Sequence, residues 1–233
     1  MVEMMIRFVM AATMLLGVTG AAAAQDPVAT LPDAYNLELD NTYARVVRVH
    51  YDAGAILPEH THPEGTTLYV YLSDSDGVIF RHVGGSAATR PPVKAGGLRI
   101  ASGREEHHSV ENTSQVASDF LRIFLKTDDG GIRNLRQRLP AEEYPADKVT
   151  TDEVFANKQL RITRIVVPPG QKVLVEAKNT PVLRVAVYSS ATPSKALPPD
   201  FLRWLGRGVT EEFAVTGDFP VDLIRVDFLT KPK

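Results

Sequence analysis

Cysteine is absent from the 233-residue chain. That excludes disulfides, thiolate chemistry and iron–sulfur ligation, and leaves burial to hold the fold together. No basic run stands out and the formal net charge is -2, so the composition points to neither nucleic acid nor an anionic membrane surface as partner. No apolar run approaches the roughly 20 residues that span a bilayer. A long amphipathic helical pattern is also missing, as is a nucleophile motif of the hydrolase kind.

What is present at the N-terminus reads as an address. Arg7 and the amino terminus carry positive charge despite Glu3, Phe8 to Val18 form a short apolar core, and Ala22-Ala23-Ala24 precede Gln25 in the small-x-small pattern of a cleavage site. The expectation is a signal peptide over residues 1–24, cut between Ala24 and Gln25. The mature protein would then be periplasmic or secreted, with no membrane attachment after cleavage. From Gln25 to Lys233 the chain is long enough for one large domain or two small ones.

After a loop-like start over 25–34, short apolar or alternating runs recur between turn residues. Strands are expected at Tyr43–Tyr51, Leu68–Leu72, Gly77–Val83, Leu98–Ala101, His108–Glu111 and Phe120–Lys126. Residues 129–150 break the pattern as a polar connector, with a short helical turn expected at Asn134–Leu139. Strand-like runs resume at Leu160–Val167, Lys172–Ala177, Leu183–Tyr188, Phe201–Leu205, Glu212–Val215 and Val221–Leu229. The fold class is all-β, as a sandwich or barrel.

The two halves read as copies. Asn41, Arg45, Arg48 and Gly54 recur as Asn157, Arg161, Arg164 and Gly170 at one separation of 116 residues. Leu98-Arg99 answers Leu202-Arg203 at a shorter separation, so the second copy has lost about a dozen residues from the loop before that strand. All six histidines lie in the first copy, and the constant offset sets Glu176 and Lys178 opposite His60 and His62, with Glu212 and Phe213 near the place of His108.

The chemistry concentrates at Glu59-His60-Thr61-His62-Pro63-Glu64-Gly65. On a strand, side chains two apart share a face, so His60 and His62 aim two imidazoles at one point. A second patch, Gly103 to Asn112, can bring a third. Neutral imidazoles held in place are the commonest metal ligands.

With these motifs the chain resembles the cupin superfamily, specifically a bicupin of two jelly-roll β-barrels related by duplication. Gly54-Ala55-Ile56-Leu57-Pro58-Glu59-His60-Thr61-His62 fits the first cupin motif through its second histidine. Gly97, Gly103, His108 and Asn112 resemble the skeleton of the second motif, with Ala101 in place of its proline and two extra residues before His108. The resemblance implies domains over 25–128 and 151–233, joined by the connector. It also implies a divalent metal (Fe, Mn, Zn, Ni or Cu) on His60, His62 and His108. One departure matters: where cupins place a ligating glutamate, this chain has Thr66 or Thr67. Glu64 comes too early by the same spacing.

Around the histidines, Thr67, Tyr69 and Tyr71 share a face by period two and are candidate cavity lining. His107 points away from His108, unless a register slip exchanges them. His50 and His82 read as packed or solvated, and Asn112 as structural. Arg99 reads as a strand-surface arginine, with carboxylate binding as the alternative role. Glu105 and Glu106 read as a solvated turn or as a base beside the third histidine. Three functions are compatible with this pattern: an exported protein binding a divalent metal and a small molecule in its first barrel, a three-histidine oxygenase or dioxygenase, and a metal-free scaffold. A homodimer is compatible with each.

Overall fold

The computed structural model describes residues 26–130, 132, 134–141, 147–188 and 197–233. The expected signal peptide with its cleavage point at Ala24 and Gln25 lies outside these residues, as do Glu142, Glu143 and Pro145 of the connector. The chain begins with a four-residue helix, α1 (Pro27–Thr30), whose N-cap Asp26 accepts a hydrogen bond from the Val28 amide. The expected loop-like start therefore holds one helical turn.

The first half forms ten strands: β1 (Tyr35–Asp40), β2 (Ala44–Tyr51), β3 (Ile56–His62), β4 (Gly65–Tyr71), β5 (Val78–His82), β6 (Ala87–Arg90), β7 (Leu98–Gly103), β8 (Glu106–Glu111), β9 (Ser118–Leu125) and β10 (Arg136–Leu139). The second half forms β11 (Thr150–Ala156), β12 (Leu160–Val167), β13 (Lys172–Glu176), β14 (Val182–Tyr188), β15 (Leu202–Leu205), β16 (Thr210–Ala214) and β17 (Val221–Phe228). The helical turn expected at Asn134–Leu139 is instead strand β10, which pairs antiparallel with β7. The edge of an existing sheet offers that segment a ladder of partners that its local sequence does not reveal.

Each half is a pair of sheets, and the two pairs repeat one topology. The first half has sheets β1-β2-β9-β4-β7-β10 and β3-β8-β5-β6; the second has β11-β12-β17-β14-β15 and β13-β16. Strand for strand the orders match, except that β5, β6 and β10 have no counterpart among the described residues. The sequence places its dozen-residue loss before β15, the point at which the first half has the β5–β6 hairpin. The chain is therefore all-β, two jelly-roll barrels related by internal duplication.

The repeated residues have physical reasons to recur. Asn41 Oδ1 accepts from the amides of Tyr43 and Ala44, and Asn157 Oδ1 accepts from those of Gln159 and Leu160, so each asparagine ties the turn of its hairpin. Both hairpins shift register, between Leu37 and Leu39 and between Glu153 and Phe155. Gly54 and Gly170 sit at φ 70 and 71, a left-handed turn open to glycine without strain.

The two larger sheets pack on each other, and this decides where the main core lies. From the first half Leu68, Val70, Ile100, Leu121 and Ile123 meet Ile162, Leu183, Val185, Ile224 and Val226 of the second in one apolar cluster. Each barrel also has its own interior, Val49, Tyr51, Leu57 and Phe120 in the first and Ile165, Val167, Val175 and Leu223 in the second. Strands such as β9 and β14 are thus buried on both faces, which is why they read as nearly continuous apolar runs.

Candidate metal centre

Strands β3 and β8 carry the centre as antiparallel neighbours, with His60 opposite His108, Thr61 opposite His107 and His62 opposite Glu106. A register shift between Leu57 and His60 sets their phase. Leu57 and His60 both face inward although they are an odd number of residues apart, which a β-bulge permits and a regular strand does not. Gly65 then turns the chain from β3 into β4 at φ 145, where a Cβ would meet the Phe124 ring at 2.8 Å.

The structure brings His60, His62 and His108 together. One ligand atom from each lies within 4.8 Å of the others, and the three residues are 1%, 5% and 4% exposed. His60 Nδ1 lies 2.9 Å from the Pro58 carbonyl, which can only accept, so Nδ1 carries the proton. That leaves the lone pair on Nε2, which accepts from the Tyr35 hydroxyl at 2.8 Å and would exchange that bond for a metal ion. Tyr35 accepts in turn from the Tyr51 hydroxyl at 2.8 Å. Burial raises both tyrosines above the ordinary phenol range, so both remain proton donors.

Burial also lowers all three imidazoles. His62 is held well below the usual histidine range by burial and then by the charge of Arg122. His108 is pushed down to about 3 by burial, then by His60 and His82. His60 is lowered by burial, partly offset by its bond to Pro58. Each is therefore neutral near pH 7, the form that binds a metal ion. The fit goes further, because both ring nitrogens of His108 are buried without a hydrogen-bond partner. Such an orphan is costly unless something coordinates it.

The remaining expected residues fall on several sides. Thr66 faces the core between the barrels alongside Leu68 and Val70, and its hydroxyl has no partner. Thr67 lines a small recess, while Tyr69 and Tyr71 line the cavity beside the histidines. Among the described residues no carboxylate joins the three histidines. Glu64 is exposed. His107, 47% exposed at its side chain, pairs with Glu59 on the outer face at 3.6 Å. Asn112 is structural: its amide nitrogen donates to the carbonyls of Asp52 and Val116. Arg99 is not a surface strand residue, as it lines the cavity with its guanidinium 5.1 Å from the Tyr69 ring centre.

Sequence reasoning missed Tyr35, Arg90, Arg122 and the cavity role of His82. Arg122 had a signal, as the one charged residue within the apolar run Phe120–Leu125. The cavity holds about 180 Å³, and a second recess of about 410 Å³ shares Tyr35, His62 and Arg122 with it.

No protein-family model and no curated protein matches the chain. Solved structures do. YhhW from Escherichia coli superposes with a TM-score of 0.53 at 13% identity, covering 85% of this chain and 91% of its own. AerE from Microcystis aeruginosa gives 0.55 at 11% identity, covering 84% and 97%. A further structure describes bacterial pirin YhhW from Escherichia coli in complex with nickel(II), at 0.50 and 13% identity over 85% of this chain and 91% of that one. The fold is that of a cupin.

The second barrel is built differently at the matching place. Strand pairing sets Val175 and Ala177 at the positions of His60 and His62, and Glu211 at that of His108. The constant offset names Glu176 and Lys178 instead, because the bulge in β3 has no equivalent in β13. Those two form an ion pair with each other, at 40% and 72% side-chain exposure. Inside the second barrel Arg184, fully buried, binds Glu211 at 2.8 and 3.1 Å and lies over the Phe213 ring. A charge pair thus fills the space that the first barrel gives to imidazoles.

Proposed function

We propose that the chain is an exported bicupin that holds a divalent metal ion on His60, His62 and His108 and binds a small molecule in the adjoining cavity. The observation that carries this is the convergence of three buried, neutral imidazoles, one of which has both nitrogens unpartnered. A metal there would supply a Lewis acid toward a ligand's oxygen atoms and, if redox-active, a site for dioxygen chemistry. Among Fe, Mn, Zn, Ni and Cu, the nickel(II) complex of the pirin YhhW supports nickel as one ion to try. The lack of a ligating carboxylate favours borderline metals with nitrogen preference over magnesium or calcium.

A three-histidine oxygenase is the second reading, favoured by the cavity that abuts the centre and by the aromatic side chains lining it. Export rests on the leader pattern of residues 1–24, and domains 25–128 and 151–233 assign binding to the first barrel alone.

The test is elemental analysis of untagged mature protein after reconstitution with each of the five ions, beside His60→Ala and His108→Ala. One equivalent in the wild type and none in either variant is expected. No bound metal with any ion would overturn the centre. Oxygen uptake with trial thiols or diols then separates the enzyme from the binding protein. The mass of the protein recovered after export tests cleavage after Ala24.

A further inference from the structure

Among the described residues four arginines are buried: Arg90, Arg122, Arg164 and Arg184. A guanidinium taken out of water carries a desolvation cost that an anion at hydrogen-bond distance offsets. Arg164 has Asp222 at 3.0 Å and Arg184 has Glu211 at 2.8 Å. Arg90 and Arg122 have no carboxylate partner among the described residues, and both line the cavity of the first barrel.

Their remaining contacts sharpen the point. Arg90, 5% exposed, uses one nitrogen, Nη2, to reach Ser75 Oγ at 2.9 Å, Ser118 Oγ at 3.0 Å and the Asp76 carbonyl at 3.1 Å. Its Nε and Nη1 are buried with no partner. It is held over the rings of Tyr71 and Phe120, at 5.3 and 5.7 Å from their centres. Arg122, 8% exposed, has a buried and unpartnered Nε. It projects from β9 on the face of Phe120, toward the histidines. Its counterpart in the second barrel, Arg225, is satisfied by Asp227 at 2.7 Å. Duplication has therefore given one arginine a counter-ion and left the other beside a cavity. Arg99, Arg136 and Arg138 add positive charge to the lining, against Glu106 alone as an acid.

We infer that the first barrel binds a small organic carboxylate, with Arg122 and Arg90 supplying the charge-assisted hydrogen bonds that the protein itself leaves unmet. A planar guanidinium matches a carboxylate in a two-point contact. The volume, about 180 Å³, equals roughly six water molecules and lies below the roughly 300–1,000 Å³ of drug-sized ligand pockets. Tyr69, Tyr71, Phe80 and Phe120 line the cavity too, so the body of the ligand meets aromatic faces. The inference shares the ligand cavity of the proposed function but does not depend on the metal.

The test uses untagged mature protein, once stripped with chelator and once metal-loaded. Melting temperature is followed against succinate, malonate and benzoate, with succinamide, benzamide and sodium chloride at matched ionic strength as controls. At least one carboxylate is expected to raise the melting temperature saturably in the stripped protein, while the amides and chloride do not. Arg122→Gln and the volume-matched Arg122→Met should weaken that carboxylate at least tenfold, and Arg225→Gln should leave it unchanged. Arg122→Met should also melt higher than the wild type without ligand, because the unpaired charge is gone. Carboxylate binding without any metal uptake would sink the metal centre and leave this inference standing. Metal uptake with no carboxylate response in either form would overturn this inference alone, as would wild-type affinity in Arg122→Gln.

Discussion

At the scale of single residues, polar groups in this protein are explained by the company that the barrels give them. His50 is the plainest case. Its imidazole faces two carboxylates, Asp119 at 3.6 Å from Nδ1 and Asp52 at 3.2 Å from Nε2. These carboxylates outweigh burial and raise the imidazole above its usual range, Asp119 most. A raised histidine stabilises the fold fully below the unfolded pKa of about 6.5 and loses that contribution as pH climbs through the folded value. His50→Gln should therefore lower the melting temperature most at about pH 6, with the gap to wild type narrowing toward about pH 9. A constant gap over that range in paired thermal melts would contradict the assignment. His107 and His108 were open to exchange on sequence, since one residue of slip reverses a strand's faces; pairing with β3 puts His108 inside and His107 on the surface.

At the scale of elements, the β3–β4 corner decides whether the histidines converge. Gly65 has a backbone conformation that other residues rarely adopt, and the Phe124 ring occupies the space of a side chain there. Gly65→Ala should cost about 1–3 kcal/mol, the range of strained backbone positions, measured by urea unfolding. It should also weaken metal uptake more than a substitution of equal stability cost in β11, because the corner sets where β3 ends. The bulge in β3 was not legible in the sequence, since an extra residue in a strand leaves no compositional mark. The constant repeat offset therefore misassigned the second-barrel counterparts of His60 and His62 by one residue.

At the scale of the whole molecule, the barrels share their largest apolar cluster. Leu183 lies fully buried within it, on the face of β14 that meets the first half. Leu183→Ala should destabilise the protein by about 2–5 kcal/mol. Although the substitution lies in the second half, it should lower a single melting transition that reports both halves. Calorimetry showing two separate transitions, with only one displaced, would contradict that coupling. Polar ties run in the same direction: Arg164 of β12 donates to the Gly96 carbonyl at 2.5 Å, and Gln159 reaches the Thr127 carbonyl at 3.2 Å. The Tyr43 ring also lies 5.5 Å from that of Trp204.

Periodicity and local turn chemistry determined much of this protein without any coordinates. The apolar and alternating runs dictated strands such as β2, β9, β12 and β17, the repeated Asn, Arg and Gly dictated the duplication, and the His-x-His spacing dictated two imidazoles on one face. These are signals that a short stretch of chain carries by itself. Tertiary structure decided the rest, because it depends on partners distant in sequence. Strand β10 exists only where β7 offers an edge. Tyr35 reaches His60 only once β1 and β3 are folded together. The apolar run around Arg122 marks it in the sequence, but its unmet charge is a tertiary property: among the described residues the buried Arg164 and Arg184 face carboxylates while Arg122 and Arg90 do not, and distant strands set what each one faces.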